Sequence, residues 1–260
     1  MAIGLERFAS GELHDYDCVM PSRYHRLDRF LSQQLQTSRS DLRPVLAAGR
    51  VSVNGEVVRD RQLRIGPFDR VECDGRLLAQ QTRHYWMLNK PAGVVSATRD
   101  EQHMTVMDLL PEDQRQGLHL AGRLDFNSTG LMLLTNDGVW SRRLSLPETG
   151  LWKHYRVRVD KALSEADVAA FARGMWFDFE KIHTQPARLV IRSAFEADVW
   201  LHEGKYHQIK RMFGRSGKTV TALHRLAVGG IQLDATLAPG ESRALTKAEQ
   251  HGVFDAVPEA

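Results

Sequence analysis

Three features of the 260-residue chain predict an α+β fold in two parts. Strand-like segments outnumber helical ones in the C-terminal two thirds. They do not alternate with helices as a parallel βαβ sheet requires. Near the N-terminus, two helical patterns precede a hairpin signal within about 55 residues, close to the lower size for an independent domain. The expected architecture is a small helix–hairpin domain followed by a larger domain with a mixed, mainly antiparallel sheet flanked by helices.

Composition narrows the class. An apolar fraction of 42% and a charged fraction of 26% are those of an ordinary globular chain, not a disordered, collagen-like or coiled-coil one. No apolar run approaches the roughly 18 residues of a membrane helix. The start, MAIGLERFASGELHDYDC, lacks a basic stretch followed by an apolar one, so no secretion signal is expected. Cys18 and Cys73 stand far apart without a CxxC pairing, and His183, His202 and the other histidines form no metal spacing. The expectation is a reduced, cytoplasmic, metal-free protein. Net charge is only +3, but its distribution is uneven: −3 over residues 1–22, +5 over 23–83 and +5 over 202–225. Two basic blocks suit a polyanion binder; they equally suit two solvated faces in a chain with 27 arginines and 8 lysines.

Residues 1–22 show little periodicity and an acidic bias, and are expected to be a mobile tail. The first domain spans residues 23–80. Leu27, Phe30, Leu31 and Leu35 fall at helical spacing. Ser40 is expected to cap a second helix, with Pro44 in its first turn and Gly49 ending it. Val51–Val58 alternates around Asn54-Gly55, a strong hairpin signal. A further strand, Arg70–Cys73, closes at Asp74-Gly75, with Cys73 a small buried residue. Leu77–Arg83 is expected to be a linker.

The second domain, residues 84–255, carries strand candidates at Tyr85–Leu88, Leu118–Ala121, Leu131–Thr135, Tyr155–Val159, Ala187–Ile191, Asp198–His202 and Thr219–His224. Helices are expected at Ser164–Arg173, with a Ser164/Asp167 capping box and Gly174 as terminator, near Tyr206–Phe213, and after Thr246 with Glu249. Three segments stand out chemically. Asn89-Lys90-Pro91-Ala92-Gly93 offers a cation on a stiff turn. Gly122-Arg123-Leu124-Asp125 followed by Asn127-Ser128-Thr129-Gly130 places an aspartate among hydroxyls in a loop between strands, where function concentrates. A structural Asp125–Arg123 pair or an Asx-turn remains open on this pattern. Glu203–Phe213, EGKYHQIKRMF, mixes bases and aromatics as phosphate contacts and base stacking require, or as an amphipathic helix with Ile209, Met212 and Phe213 inward.

The ordered set KPAG, GRLDFNSTGLMLLTNDG, KHYRVRV, EGKYHQIKRMF and LHRLAVGGI resembles the pseudouridine synthases that modify ribosomal RNA, particularly those acting on the small-subunit (16S) RNA. The preceding RLDRFL…SRSDLRPVLAAGRVSVNGEVV…DRVECDG is similar to the S-four-type RNA-binding domain that often accompanies them. Asn127 departs from the family's frequent acid, and Ser128 keeps a hydroxyl where threonine is usual. The acidic tail lies outside the pattern.

That resemblance implies isomerisation of uridine in ribosomal RNA without a cofactor, by a monomer that stays off membranes. It makes Asp125 the nucleophile, held ionised and oriented by Lys210, and Tyr155 the residue that stacks on the target base. Arg211 is the alternative partner of Asp125. Leu226 matches a residue packing under the base. Arg123, Lys90, Lys205, His207 and Arg211 are the expected RNA contacts of the second domain, and Arg26, Arg29, Arg39, Arg43 and Arg50 those of the first. The Arg123–Gly130 loop is expected to floor a cleft across the sheet that receives a flipped-out nucleotide. A large-subunit or transfer RNA target, or an RNA-binding assembly protein without catalysis, is the alternative.

Overall fold

The computed structural model describes residues 24–146, 149–178 and 180–254, so the expected tail at 1–22 lies outside the described residues. The chain divides into two compact units between Thr82 and Arg83.

The first unit opens with β1 (His25–Arg26), α1 (Leu27–Gln34) and α2 (Leu42–Ala47). Leu27, Phe30 and Leu31 of α1 meet Leu42 and Leu46 of α2 in one apolar core. Asp41, not Ser40, precedes α2, and no side chain caps it, because the Ser38, Ser40 and Asp41 side chains bond one another instead. Then follow β2 (Val51–Val53), β3 (Glu56–Val57), β4 (Arg64–Ile65), β5 (Val71–Cys73) and β6 (Arg76–Ala79). The sheet order is β3-β2-β5-β6, with β1 and β4 pairing separately. Asn54 and Gly55 both take positive φ, 55° and 87°, as the tight hairpin between β2 and β3 demands. Residues 77–79, expected in a linker, belong to β6, whose Leu78 and Ala79 are buried in the core beside the buried Cys73. The Asp74-Gly75 turn continues a hairpin rather than ending the sheet.

Among the described residues, the second unit is built on a nine-stranded sheet, and the short strands Trp176–Phe177 and Ile182–His183 pair separately. In chain order it contains β7 (Tyr85–Lys90), β8 (His119–Leu120), β9 (Thr129–Thr135), α3 (Gly138–Ser145), β10 (Lys153–Val159) and α4 (Glu165–Arg173). There follow β11 (Trp176–Phe177), β12 (Ile182–His183), β13 (Arg188–Ser193), β14 (Glu196–Leu201), α5 (Gln208–Arg215), β15 (Val220–Val228), β16 (Ile231–Gln232), β17 (Ser242–Ala244) and α6 (Lys247–Gly252). The main sheet runs β13-β14-β10-β15-β9-β7-β17, with β8 on β9 and β16 on β15. Among the described residues every pair is antiparallel except β9 with β15, so the sheet is mixed and mainly antiparallel as expected. Alternate residues face two cores. Leu88, Met132, Leu134, Tyr155 and Val157 pack with α4 and α5 on one side. Met87, Leu131, Leu133 and Val228 pack on the other with Trp140 and Leu144 of α3. The expected boxes form at Ser164/Asp167 and Thr246/Glu249, and Gly174 ends α4 at φ 73°. Helix α5 starts two residues later than expected, because His207 is left-handed and cannot be its first turn.

Candidate active site

Strand β9 begins one residue after Ser128, and the loop before it carries Asp125. At the parallel β9/β15 contact, a Cβ on Gly130 would sit 2.3 Å from the Arg225 carbonyl oxygen, so only glycine permits this approach. The loop is then held by its own carbonyls. Arg225, buried on β15, donates from Nε to Leu131 O at 2.7 Å and from Nη1 to Arg123 O at 3.4 Å. Lys90, at the end of β7, donates from Nζ to Pro91 O at 2.9 Å, Phe126 O at 3.1 Å and Ser128 O at 2.9 Å. Three protons on one ammonium meet three acceptors. The Ser128 amide also donates to Asp125 O at 3.0 Å. Two buried cations therefore grip both flanks of the aspartate.

This corrects the expectation for Lys90. It is fully buried rather than at an RNA contact, and its ammonium is saturated by the chain itself. Burial pushes its pKa down to about 8, while the Asp125 charge pulls it up and Arg225 and Lys210 push it further down.

With the loop's carbonyls turned to Lys90 and Arg225, the Asp125 carboxylate meets α5. Lys210 Nζ lies 2.6 Å from Asp125 Oδ2, and His207 Nε2 lies 3.3 Å from Oδ1. Each oxygen thus faces its own nitrogen, which fixes the plane of the carboxylate. The alternative Asp125–Arg123 pair does not form among the described residues. Nor is Arg211 the aspartate's partner: its guanidinium holds Glu180 in a two-pronged pair at 2.5 and 2.6 Å and lies over the Phe177 ring.

What puts Lys210 and His207 there is a buried polar pair. Gln208 Nε2 donates to Glu203 Oε1 at 2.6 Å, and the Gln185 amide donates to the same oxygen at 2.9 Å. Gln208 Oε1 accepts from the Lys205 amide at 3.0 Å. Together they fold the turn that forces His207 to φ 49°, a conformation uncommon for a side-chain-bearing residue and frequent at functional sites. Ile209, Met212 and Phe213 anchor the helix in the core, so the amphipathic pattern and the basic face are both realised.

Tyr155 stands on β10, paired directly with Arg225 of β15, in the core cluster that contains Leu124 and Ile209, the neighbours of Asp125 and Lys210. Its hydroxyl accepts or donates no hydrogen bond among the described residues. Lys153, two residues earlier on the same face, donates to His202 O at 3.0 Å. Burial pushes it down to about 8, with Arg225 acting the same way and Glu203 opposing. Leu226, half-buried, is the extra residue where β15 slips register opposite His154 and Tyr155. Such bulges re-aim side chains beside active sites.

Arg123 and Lys205 are exposed. In the first unit, Arg29, Arg39, Arg43 and Arg50 are exposed, while Arg50 pairs with Asp74 and Arg26 is turned back onto Asp28 at 2.7 Å. Arg43 shares a concave surface with Arg59 and Arg61, two arginines that local pattern does not single out.

Asp125 thus sits between an ammonium and an imidazole. Residues 84–215 match the RNA pseudouridylate synthase family and residues 25–71 the S4 domain, and the chain belongs to that synthase family. It is therefore an isomerase that rebuilds uridine as pseudouridine in RNA. It is 51% identical over 225 residues to the Pseudomonas aeruginosa protein named ribosomal small subunit pseudouridine synthase A, covering 86% of this chain and 98% of that one. The Escherichia coli K12 protein of the same name is 44% identical, with 86% and 97% covered. A crystal structure described as pseudouridylate synthase superposes with a TM-score of 0.65 at 36% identity, over 88% of this chain and 99% of that one.

Proposed function

We propose that the protein converts a specific uridine of small-subunit (16S) ribosomal RNA to pseudouridine in the cytoplasm, with Asp125 as nucleophile on a flipped-out nucleotide. The carrying observation is the carboxylate held at both oxygens by Lys210 and His207. The names of its relatives support the small-subunit target. The reaction breaks the C1′–N1 bond, turns the uracil and joins C1′ to C5; N1 gains a proton and C5 loses one. An ionised aspartate can attack the nucleotide and leave again, while Lys210 keeps its charge in place through both steps. Tyr155 stacks on the uracil, and its hydroxyl assists removal of the C5 proton. Leu226 packs under the base. Arg123 and Lys205, both exposed, hold the surrounding phosphates, whereas Arg211 is taken up by Glu180.

Tyr155 separates two roles. If stacking dominates, Tyr155→Ala lowers the single-turnover rate or affinity by about 1–3 kcal/mol and Tyr155→Phe by much less. If the hydroxyl moves the proton, both variants are equally slow. An unaffected alanine variant removes Tyr155 from the site.

Residues 23–80 supply affinity and target choice through arginine–phosphate contacts. The double variant Arg43→Ala/Arg59→Ala is expected to weaken RNA binding and to reduce the slope of log K against log salt by somewhat under one unit for each phosphate no longer neutralised. Titration of labelled RNA at several salt concentrations measures this. A collapse of the saturating single-turnover rate with an unchanged slope would mean that this unit shapes the chemical step instead.

A further inference from the structure

Two exposed aromatic rings adjoin Asp125 and take no part in the chemistry above. Phe126, the next residue in the chain, is 42% exposed although it lies in a loop otherwise pinned by buried cations. Its ring meets that of His103 at 5.4 Å and 76°. Tyr206, 74% exposed, lies flat on the His207 ring at 3.9 Å and 19°, and His207 is the residue that touches Asp125 Oδ1. Each aromatic is thus braced by a histidine and tied to the reacting carboxylate, one through the chain and one through a contact.

Their exposure calls for a partner. A single apolar side chain on a surface needs no explanation, but two braced rings at one catalytic carboxylate form a pattern. The Tyr206 ring has one face against His207, which leaves the other free to take a second flat ring. Lys205, exposed beside Tyr206, and Arg123, exposed two residues before Asp125, supply the cations that a nucleic-acid backbone requires. Aromatic rings interleaved with cations are the pattern by which unpaired bases are held, since every base has a π-face.

We propose that Phe126 and Tyr206 are stacking platforms for the two nucleotides flanking the target uridine, one on its 5′ side and one on its 3′ side. The inference rests on the flipped-nucleotide reading given above. When the uridine leaves the RNA stack, its neighbours lose a stacking partner, and a protein ring replaces it. The platforms hold the gap open and select for RNA whose flanking bases are free to stack.

The test uses the full-length protein and a ribosomal RNA fragment that the wild-type protein converts, in three forms: unmodified, and with an abasic nucleotide immediately 5′ or immediately 3′ of the target. Dissociation constants are measured at one fixed salt concentration for wild type, Phe126→Leu, Tyr206→Leu, Phe126→Tyr, Tyr206→Phe and Phe195→Leu. The leucine variants keep apolar bulk, and thermal melts check their folding. On unmodified RNA each of Phe126→Leu and Tyr206→Leu is expected to weaken binding about tenfold, within the span of one base stacked on an aromatic ring. That loss should vanish on one abasic RNA and persist on the other, with the two residues coupled to opposite sides. Phe126→Tyr and Tyr206→Phe should restore binding, and Phe195→Leu, in the β13–β14 turn, should match wild type on all three RNAs. Losses equal on all three RNAs, or no loss at all, would overturn the proposal. Conversion only of a fragment from outside the small subunit would overturn the target reading while leaving the stacking test intact.

Discussion

Asp125→Asn is expected to abolish pseudouridine formation while shifting RNA affinity by no more than about 1 kcal/mol. The asparagine amide matches the carboxylate in volume, so the loop held by Lys90 and Arg225 has no reason to move. The Asp125 O to Ser128 N turn is a backbone contact and survives the change. What disappears is the charge. An amide oxygen cannot attack the nucleotide, and Lys210 at 2.6 Å and His207 at 3.3 Å lose the anion they hold. Because Asp125 and Lys210 are partly exposed, breaking their pair costs stability little, well under the effect on rate. Single-turnover kinetics at saturating protein measures the step, and turnover above a hundredth of wild type would count against Asp125 as nucleophile.

Lys90→Met is expected to produce the second largest effect, and through position rather than contact. Methionine fills the volume but leaves the carbonyls of Pro91, Phe126 and Ser128 without their donor. Orphaned buried acceptors cost on the order of 1–3 kcal/mol, only partly offset by no longer burying a charge. With the Phe126 and Ser128 carbonyls released, Asp125 just before them loses its fixed place, and a misplacement of about 1 Å can lower the rate about a hundredfold. The pH dependence separates this role from a simple packing role. Lys90 titrates at about 8 in the folded chain and at about 10.4 when unfolded. Between those values the unfolded chain carries a proton that the folded chain lacks, so this group makes stability rise with pH across that window. Lys90→Met should lose that rise. Activity runs the other way: above about 8 the wild-type amine gives up one of its three donated protons and the rate should fall, a decline that the variant should not show. Urea denaturation and single-turnover rates on either side of that value, at about pH 7.5 and about pH 9.5, test both signs. Identical pH profiles for the two proteins would contradict the clamp.

The fold is legible in the sequence where periodicity and punctuation agree. Leu27, Phe30 and Leu31 mark α1, Asn54-Gly55 a hairpin, and the Ser164/Asp167 and Thr246/Glu249 spacings the starts of α4 and α6. Helix α3 escapes such reading: it has eight residues, opens at a glycine, and is fixed by Asp137, which accepts from the Val139 and Trp140 amides. An Asn-Asp-Gly run signals a turn as readily as a cap. Strand β6 reads as a linker because burial of Leu78 and Ala79 depends on β5 beside them, a tertiary fact without a local signal.

The site divides in the same way. Asp125 and Lys210 are singled out by resemblance, and the observed pair is theirs. Lys90 misleads because lysine at a Pro/Gly turn usually faces water; only the packing of β7 under the loop buries it. Arg225, Glu203 and Gln208 escape notice for related reasons. Gln208 holds the best available clue: it lies four residues before Met212, on the apolar face of α5, where a polar residue needs a buried partner. Glu203, five residues earlier, is that partner, but no spacing rule connects a strand end to a helix start.

The most direct measurement is the mapping of pseudouridine in ribosomal RNA from cells that contain the protein, lack it, or carry only Asp125→Asn. The expected result is one position in small-subunit RNA that is pseudouridine with the wild-type protein and uridine in the other two. Pseudouridine persisting at that position in the Asp125→Asn cells, or a change confined to large-subunit or transfer RNA, would contradict it.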